Sequence, residues 1–155
     1  MKHNLELLLR ADVEAAKVAL RAADAAALKY QALQERLGAL NGEAVEFIMN
    51  ARNVLRCFLG KPGNASWQQA GFPPGAFAVP STMPARFKVV HELETHFQAN
   101  PDRQMPALKV TSEIAAGLYE RWLKVTQGLN QSRADLAAAR KTRGSAVQAI
   151  SVTPG

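Results

Sequence analysis

His91 and His96 are the residues best placed by type and spacing to do chemistry in this 155-residue chain. The run His91-Glu-Leu-Glu-Thr-His96 invites comparison with the HExxH zinc motif. That motif works because its histidines, at i and i+4, share one face of a helix. Here they are five residues apart, about 140° around a helix, so they cannot chelate one metal together. No Glu precedes a His by three residues, as the di-iron bundle motif requires. Glu92 and His96, four apart, are instead expected to form a surface pair. Cys57 has no sequence-local activating base and reads as a buried, inert thiol. Gly60-Lys-Pro-Gly63 has neither the spacing nor the strand–loop–helix setting of a phosphate loop. Arg52 and Arg56 share a helix face with no intervening acid, so an exposed or partner-paired face is expected there, with an anion contact as the alternative. The chain therefore reads as a non-enzyme, with no catalytic, cofactor-binding or metal-ligating residue.

The elements that would carry these residues are helical. Hydrophobic residues at 48% and charged residues at 21% fit a soluble globular chain with a real core. Alanine, the best helix former, is concentrated between Ala11 and Ala32. No apolar run approaches the roughly 20 residues of a membrane span, and the first residues lack the apolar core of a signal peptide. A single cysteine excludes an intrachain disulfide and fits a reducing, cytoplasmic compartment.

The pattern predicts an all-α, four-helix up-down bundle. Helix A covers Leu5–Leu37, with a seam of Leu9, Val13, Ala16, Leu20, Ala23, Ala27, Tyr30 and Leu37 in alternating steps of four and three. Gly38 is read as its stop and Asn41 as the N-cap of helix B, which runs to Leu59. Leu40 and Val45 are placed as a hydrophobic staple. So short a connection makes A and B antiparallel neighbours. Gly60–Pro84 is then a long ordered loop, with one helical turn expected around Trp67. Helix C starts at Ser81 or Thr82 with the stripe Phe87, Val90, Leu93 and Phe97, and ends near Asn100-Pro101. Helix D is capped by Thr111 and carries Ile114, Leu118, Trp122, Val125, Leu129, Leu136 and Ala139 to about Arg143. Residues 1–143 form one domain and 144–155 a frayed tail.

The expected lengths matter for function. At 1.5 Å per residue A and D are each roughly 50 Å long, and B and C roughly 25 Å. Leu5–Leu20 and Val125–Arg143 would form a two-helix, coiled-coil-like stalk. Two helices cannot shield both apolar seams, so the stalk is expected to form a homodimer or to dock further domains of a longer protein. Its surface would be Leu9, Val13, Leu20, Leu129 and Leu136. Trp67, Phe72 and Phe77 in the loop either plug the end of the bundle or add to an interaction surface.

The net charge is +6. From Ala107 onward seven basic side chains face three acidic ones, a net of +4. Arg133, Arg140, Lys141 and Arg143 are candidate anion contacts, and nucleic-acid or polyanion binding is the alternative function. No aromatic residues are interleaved with them, which favours a solvated surface. A third reading places a small-ligand pocket under the 60–84 loop.

One resemblance bears on this. Ala51-Arg-Asn-Val-Leu55 with Phe58-Leu-Gly60, then Trp67, Gly71-Phe-Pro73, Val79-Pro-Ser-Thr82 with Arg86, then Asn100-Pro101 and Val110-Thr111, resemble an uncharacterised bacterial helical domain. The likeness covers roughly Ala11–Arg140, and its most specific part is the loop from Trp67 to Arg86. It implies a domain of similar layout at the start of longer proteins that often carry a fibronectin type III-like module. It implies no catalytic residue. The function expected from the residues and the resemblance together is a helical-bundle domain for assembly or protein interaction.

Overall fold

In α1, Lys2–Leu59, the apolar residues recur in steps of three and four without a phase change. The computed structural model describes residues 2–61, 64–73 and 78–152. Four α-helices are present among the described residues: α1, α2 (Ala65–Gln69), α3 (Met83–Ala99) and α4 (Ser112–Val152). Two 3-10 turns, Pro101–Arg103 and Pro106–Leu108, join α3 to α4. No strand occurs among the described residues, beyond an isolated antiparallel bridge between Met105 and Val110. The all-α class stands.

The predicted A/B hairpin does not exist. Gly38, Asn41 and Gly42 all lie inside α1. The seam passes straight through them as Leu33, Leu37, Leu40, Ala44, Phe47, Ala51 and Val54, each buried or half-buried. A glycine inside a helix costs about 1 kcal/mol relative to alanine, far less than the burial this seam supplies. Asn41 does not cap a helix; its side chain accepts a hydrogen bond from Arg86 of α3 at 2.8 Å. With A and B fused, the four-helix up-down arrangement gives way to one long helix, two shorter ones and the five-residue α2.

Most other boundaries follow local chemistry. Thr82 precedes α3, with Pro84 in its first turn. The Thr111 side chain accepts from the Ile114 amide at 3.1 Å and caps α4. Gly60 ends α1 at φ +76°, a conformation that favours glycine. The Asn64 amide then donates to Leu59 O at 2.7 Å, while its oxygen accepts from the Ser66 amide and starts α2. The helical turn at Trp67 is thus present, capped by Asn64. α4 runs past the expected end at Arg143 to Val152, because its own seam continues through Leu136, Ala139, Arg143 and Ala146. Residues 153–155 of the expected tail lie outside the described residues.

The chain divides into two compact units. Unit 2, Arg36–Val125, holds the main core. There Phe87, Val90, Leu93 and Phe97 of α3 are fully buried, as the stripe predicts. Trp67 and Phe72 are buried in the same cluster and meet edge to face with ring centroids 5.4 Å apart. Gly71 sits at φ +109°, where a Cβ would fall 2.5 Å from the Glu92 Cβ, so only glycine lets the loop lie this close to α3.

Unit 1 comprises Met1–Glu35 and Thr126–Gly155. Its described helices are antiparallel, since Tyr30 meets Arg133 while Leu33 lies beside Gly128. The buried α1 positions here are Ala16, Ala19 and Ala23; those of α4 are Leu129, Ser132 and Leu136. Small side chains on one helix accept large ones from the other.

Candidate interaction surface

Heptad position decides which side chains of unit 1 are available. Taking Ala16, Ala23, Tyr30 and Leu37 as a, and Ala19, Ala26, Leu33 and Leu40 as d, both rows face inward. Val13, Leu20 and Ala27 then fall at e, on the flank of that seam. Val13 and Leu20 are 40% and 42% exposed. The expected seam contained Val13 and Leu20; the folded seam uses Ala19, Ala26 and Leu33 in their place. The inward phase is the one already set by Leu40, Ala44, Phe47 and Ala51 on the same helix. Leu9 is half-buried. Leu129 and Leu136 are buried, so they hold the two helices together and offer nothing to a partner. Leu5, Leu7, Leu8, Val18 and Leu28 are further large apolar side chains exposed on α1.

The e position has a different fate in unit 2. There Ile48 and Leu55 occupy it, and both are 0% exposed. α3 lies on this side, because Arg86 reaches Asn41, also at e. On α4, Tyr119 at the matching position stacks on His91 of α3 at 4.3 Å, and Trp122 beside it stacks on Phe87 at 4.8 Å. Among the described side chains, the equivalent α4 positions in unit 1 are Thr126, Arg133 and Arg140. In unit 1, Val13 and Leu20 at the e position remain open.

The four candidate anion contacts do not share one face. Arg133 and Arg140 are one heptad apart and line up. Lys141 and Arg143 point about 80° to either side of Arg133. Arg133 donates to the Tyr30 hydroxyl at 3.4 Å, Arg140 and Lys141 are exposed, and Arg143 is half-buried. Of the loop residues, Trp67 and Phe72 are core, and Phe77 lies outside the described residues.

The chemistry-bearing residues have contacts of their own. His91 stacks on Tyr119 and lies 3.4 Å from Glu94. His96 does not pair with Glu92; its Nε2 accepts from Arg103 at 3.2 Å. Arginine can only donate, so the ring is neutral there and carries its proton on Nδ1. Burial, and then the Arg103 charge, lower the His96 pKa below its ordinary value. Cys57, expected to be buried, is exposed on α1. No group of three metal-ligating side chains occurs among the described residues. No described helix is long and apolar enough to cross a membrane.

Among the described residues of unit 2 are two open clefts that the described part of 60–84 does not line. The larger, about 450 Å³, has a floor of Phe47 and Leu118 and is crossed by the Glu43–Arg121 ion pair at 3.1 Å. That pair is exposed.

Comparison with known proteins returned no match: no family model, curated protein or solved structure corresponds to this chain.

Proposed function

We propose that the chain is a non-enzymatic helical domain for assembly or protein interaction, and that unit 1 carries its contact surface. The observation that carries this reading is the exposed apolar flank of α1 at Val13 and Leu20, in a unit whose described residues form two helices. Apolar positions at heptad spacing are costly to leave in water and are the usual seat of a further helix. The resemblance to the bacterial helical domain of longer modular proteins points the same way, since it implies neighbours for this domain.

Photo-crosslinking tests the reading. A crosslinker is placed at position 13 or 20 of the full chain in its native host. Adducts of discrete mass from these positions, and none from the exposed Lys88 of α3, are expected. Equal yields from all three positions, or none, would overturn it. Light scattering at low and high salt then identifies a second copy, which would appear as a two-chain mass that salt does not change.

A further inference from the structure

We infer that the groove between α1 and α4 in unit 1 receives an acidic amphipathic helix from a partner protein. This rests on the interaction reading above and adds the chemistry of the occupant. One wall is the row Val13, Leu20 and Ala27 of α1. Val13 and Leu20 are exposed and Ala27 is half-buried. Beneath it the buried seam of Ala16, Ala23, Leu129 and Leu136 holds the two helices together. The other wall holds Arg133 and Arg140 of α4.

The heptad comparison identifies the occupant as a helix. In unit 2 the same rows of α1 and α4 are covered by α3, through Asn41 on one side and Tyr119 on the other. In unit 1 these rows keep the apolar character of a helix seat on α1 but carry guanidinium groups on α4.

Charge identifies its chemistry. Arg133 and Arg140 are exposed and lie seven residues apart, about 10 Å along the axis. The α4 row beyond them is Asn130, Ala137 and Gly144, which holds no carboxylate. Asp135 lies on the opposite flank and accepts from Gln131 at 3.0 Å. Beyond the apolar row, α1 carries Arg10, Lys17, Asp24 and Gln31; Lys17 makes an exposed contact with Glu14 at 3.6 Å. Both rims are therefore basic, with Asp24 their one acid. Two copies meeting through this groove would set like charges against each other. The apolar face of α3 is already buried in its own unit, so a second copy has no acidic amphipathic helix to lend. The fitting partner has apolar residues at i, i+3 or i+4 and i+7, with Glu or Asp seven residues apart along its edge.

The test is a fluorescence-anisotropy titration of the full chain with a labelled 21-residue helical peptide, leucine on its inner face and glutamate on its edges. The lysine-edged version and polyglutamate are the controls. The glutamate-edged peptide is expected to bind, and the lysine version is not. Leu20→Asp should weaken binding about tenfold or more. Arg133→Gln with Arg140→Gln should weaken it severalfold and flatten its salt dependence. These positions are exposed, and an unchanged helical circular dichroism spectrum confirms the fold. Polyglutamate binding as well as the peptide would overturn the proposal in favour of a simple polyanion surface. Failure of the peptide to bind, binding indifferent to Leu20→Asp, or a dimer that Leu20→Asp dissolves would each overturn it. If the crosslinks from positions 13 and 20 persist in those cases, the interaction reading stands and only the partner chemistry falls.

Discussion

Arg86 clamps Asn41 to the body of unit 2. Its Nη1–H donates to Asn41 Oδ1 at 2.8 Å, and its Nε–H donates to Pro80 O at 2.6 Å. One guanidinium thus ties the middle of α1 to the loop that leads into α3. A hydrogen bond from a charged donor in a partly buried site is worth more than a neutral one. Arg86→Met should cost about 2 kcal/mol of stability in urea unfolding. Asn41→Ala, which leaves the Pro80 contact intact, should cost about 1 kcal/mol. A double-mutant cycle showing no coupling between the two would deny the clamp.

The continuity of α1 makes a prediction of opposite sign from the predicted hairpin. Gly38 and Gly42 are exposed, helical, and have open space where a Cβ would stand. Gly38→Ala and Gly42→Ala should each stabilise the protein by up to about 1 kcal/mol. Were Gly38 the left-handed cap of a shorter helix, alanine would destabilise there instead. Thermal unfolding of the two variants decides the matter by sign alone.

What the sequence made legible follows from where its signals are local. Pro84 just after Thr82, and the cap Thr111 with Glu113, mark helix starts locally, and α3 and α4 begin where those residues stand, although Thr82 makes no side-chain capping bond. The stripe of α3 is equally plain, because Phe87, Val90, Leu93 and Phe97 leave one choice of face. Around Gly38 two signals conflict. Glycine and asparagine there resemble a stop and a start, while the step from Leu37 to Leu40 to Ala44 keeps its phase. Tertiary burial favours the second, and the unbroken phase was the clue. In unit 1 the alanines allow more than one seam, and the larger Val13 and Leu20 draw the eye to the wrong one. Because helix phase is set by the core farther along α1, those side chains become the exposed flank on which the candidate surface rests. The burial of Ser132 had no signal at all beyond its place between Leu129 and Leu136.

Ser132 is fully buried at an inward position of α4, and its hydroxyl has no hydrogen-bond partner among the described residues. A buried hydroxyl left unsatisfied carries a desolvation cost that alanine does not. Ser132→Ala should therefore raise stability by about 1 kcal/mol, helped by the better helix propensity of alanine. A rise in thermal midpoint is the expected outcome. A fall would mean that the hydroxyl contributes a bond that the fold depends on.

His96 gives unit 2 a pH dependence whose sign is fixed by its surroundings. Burial first, and the Arg103 guanidinium second, lower its pKa below the ordinary 6.5. Its Nε2 accepts from Arg103 at 3.2 Å, and Arg103 in turn lies over the Phe58 ring at 5.6 Å. The unfolded chain therefore takes up a proton at a higher pH than the folded one. The contribution of His96 is fully present above about pH 6.5 and is lost as pH falls through the depressed folded value. Protonation would also set two cations against each other and release Arg103 from the ring. Stability followed by urea unfolding between pH 8 and pH 5 should be flat at first and then decline. His96→Gln, which keeps an acceptor for Arg103 but cannot titrate, should remove that part of the decline. An unchanged slope in the variant would place the pH dependence elsewhere, and a slope that rises on acidification would contradict the lowered pKa itself.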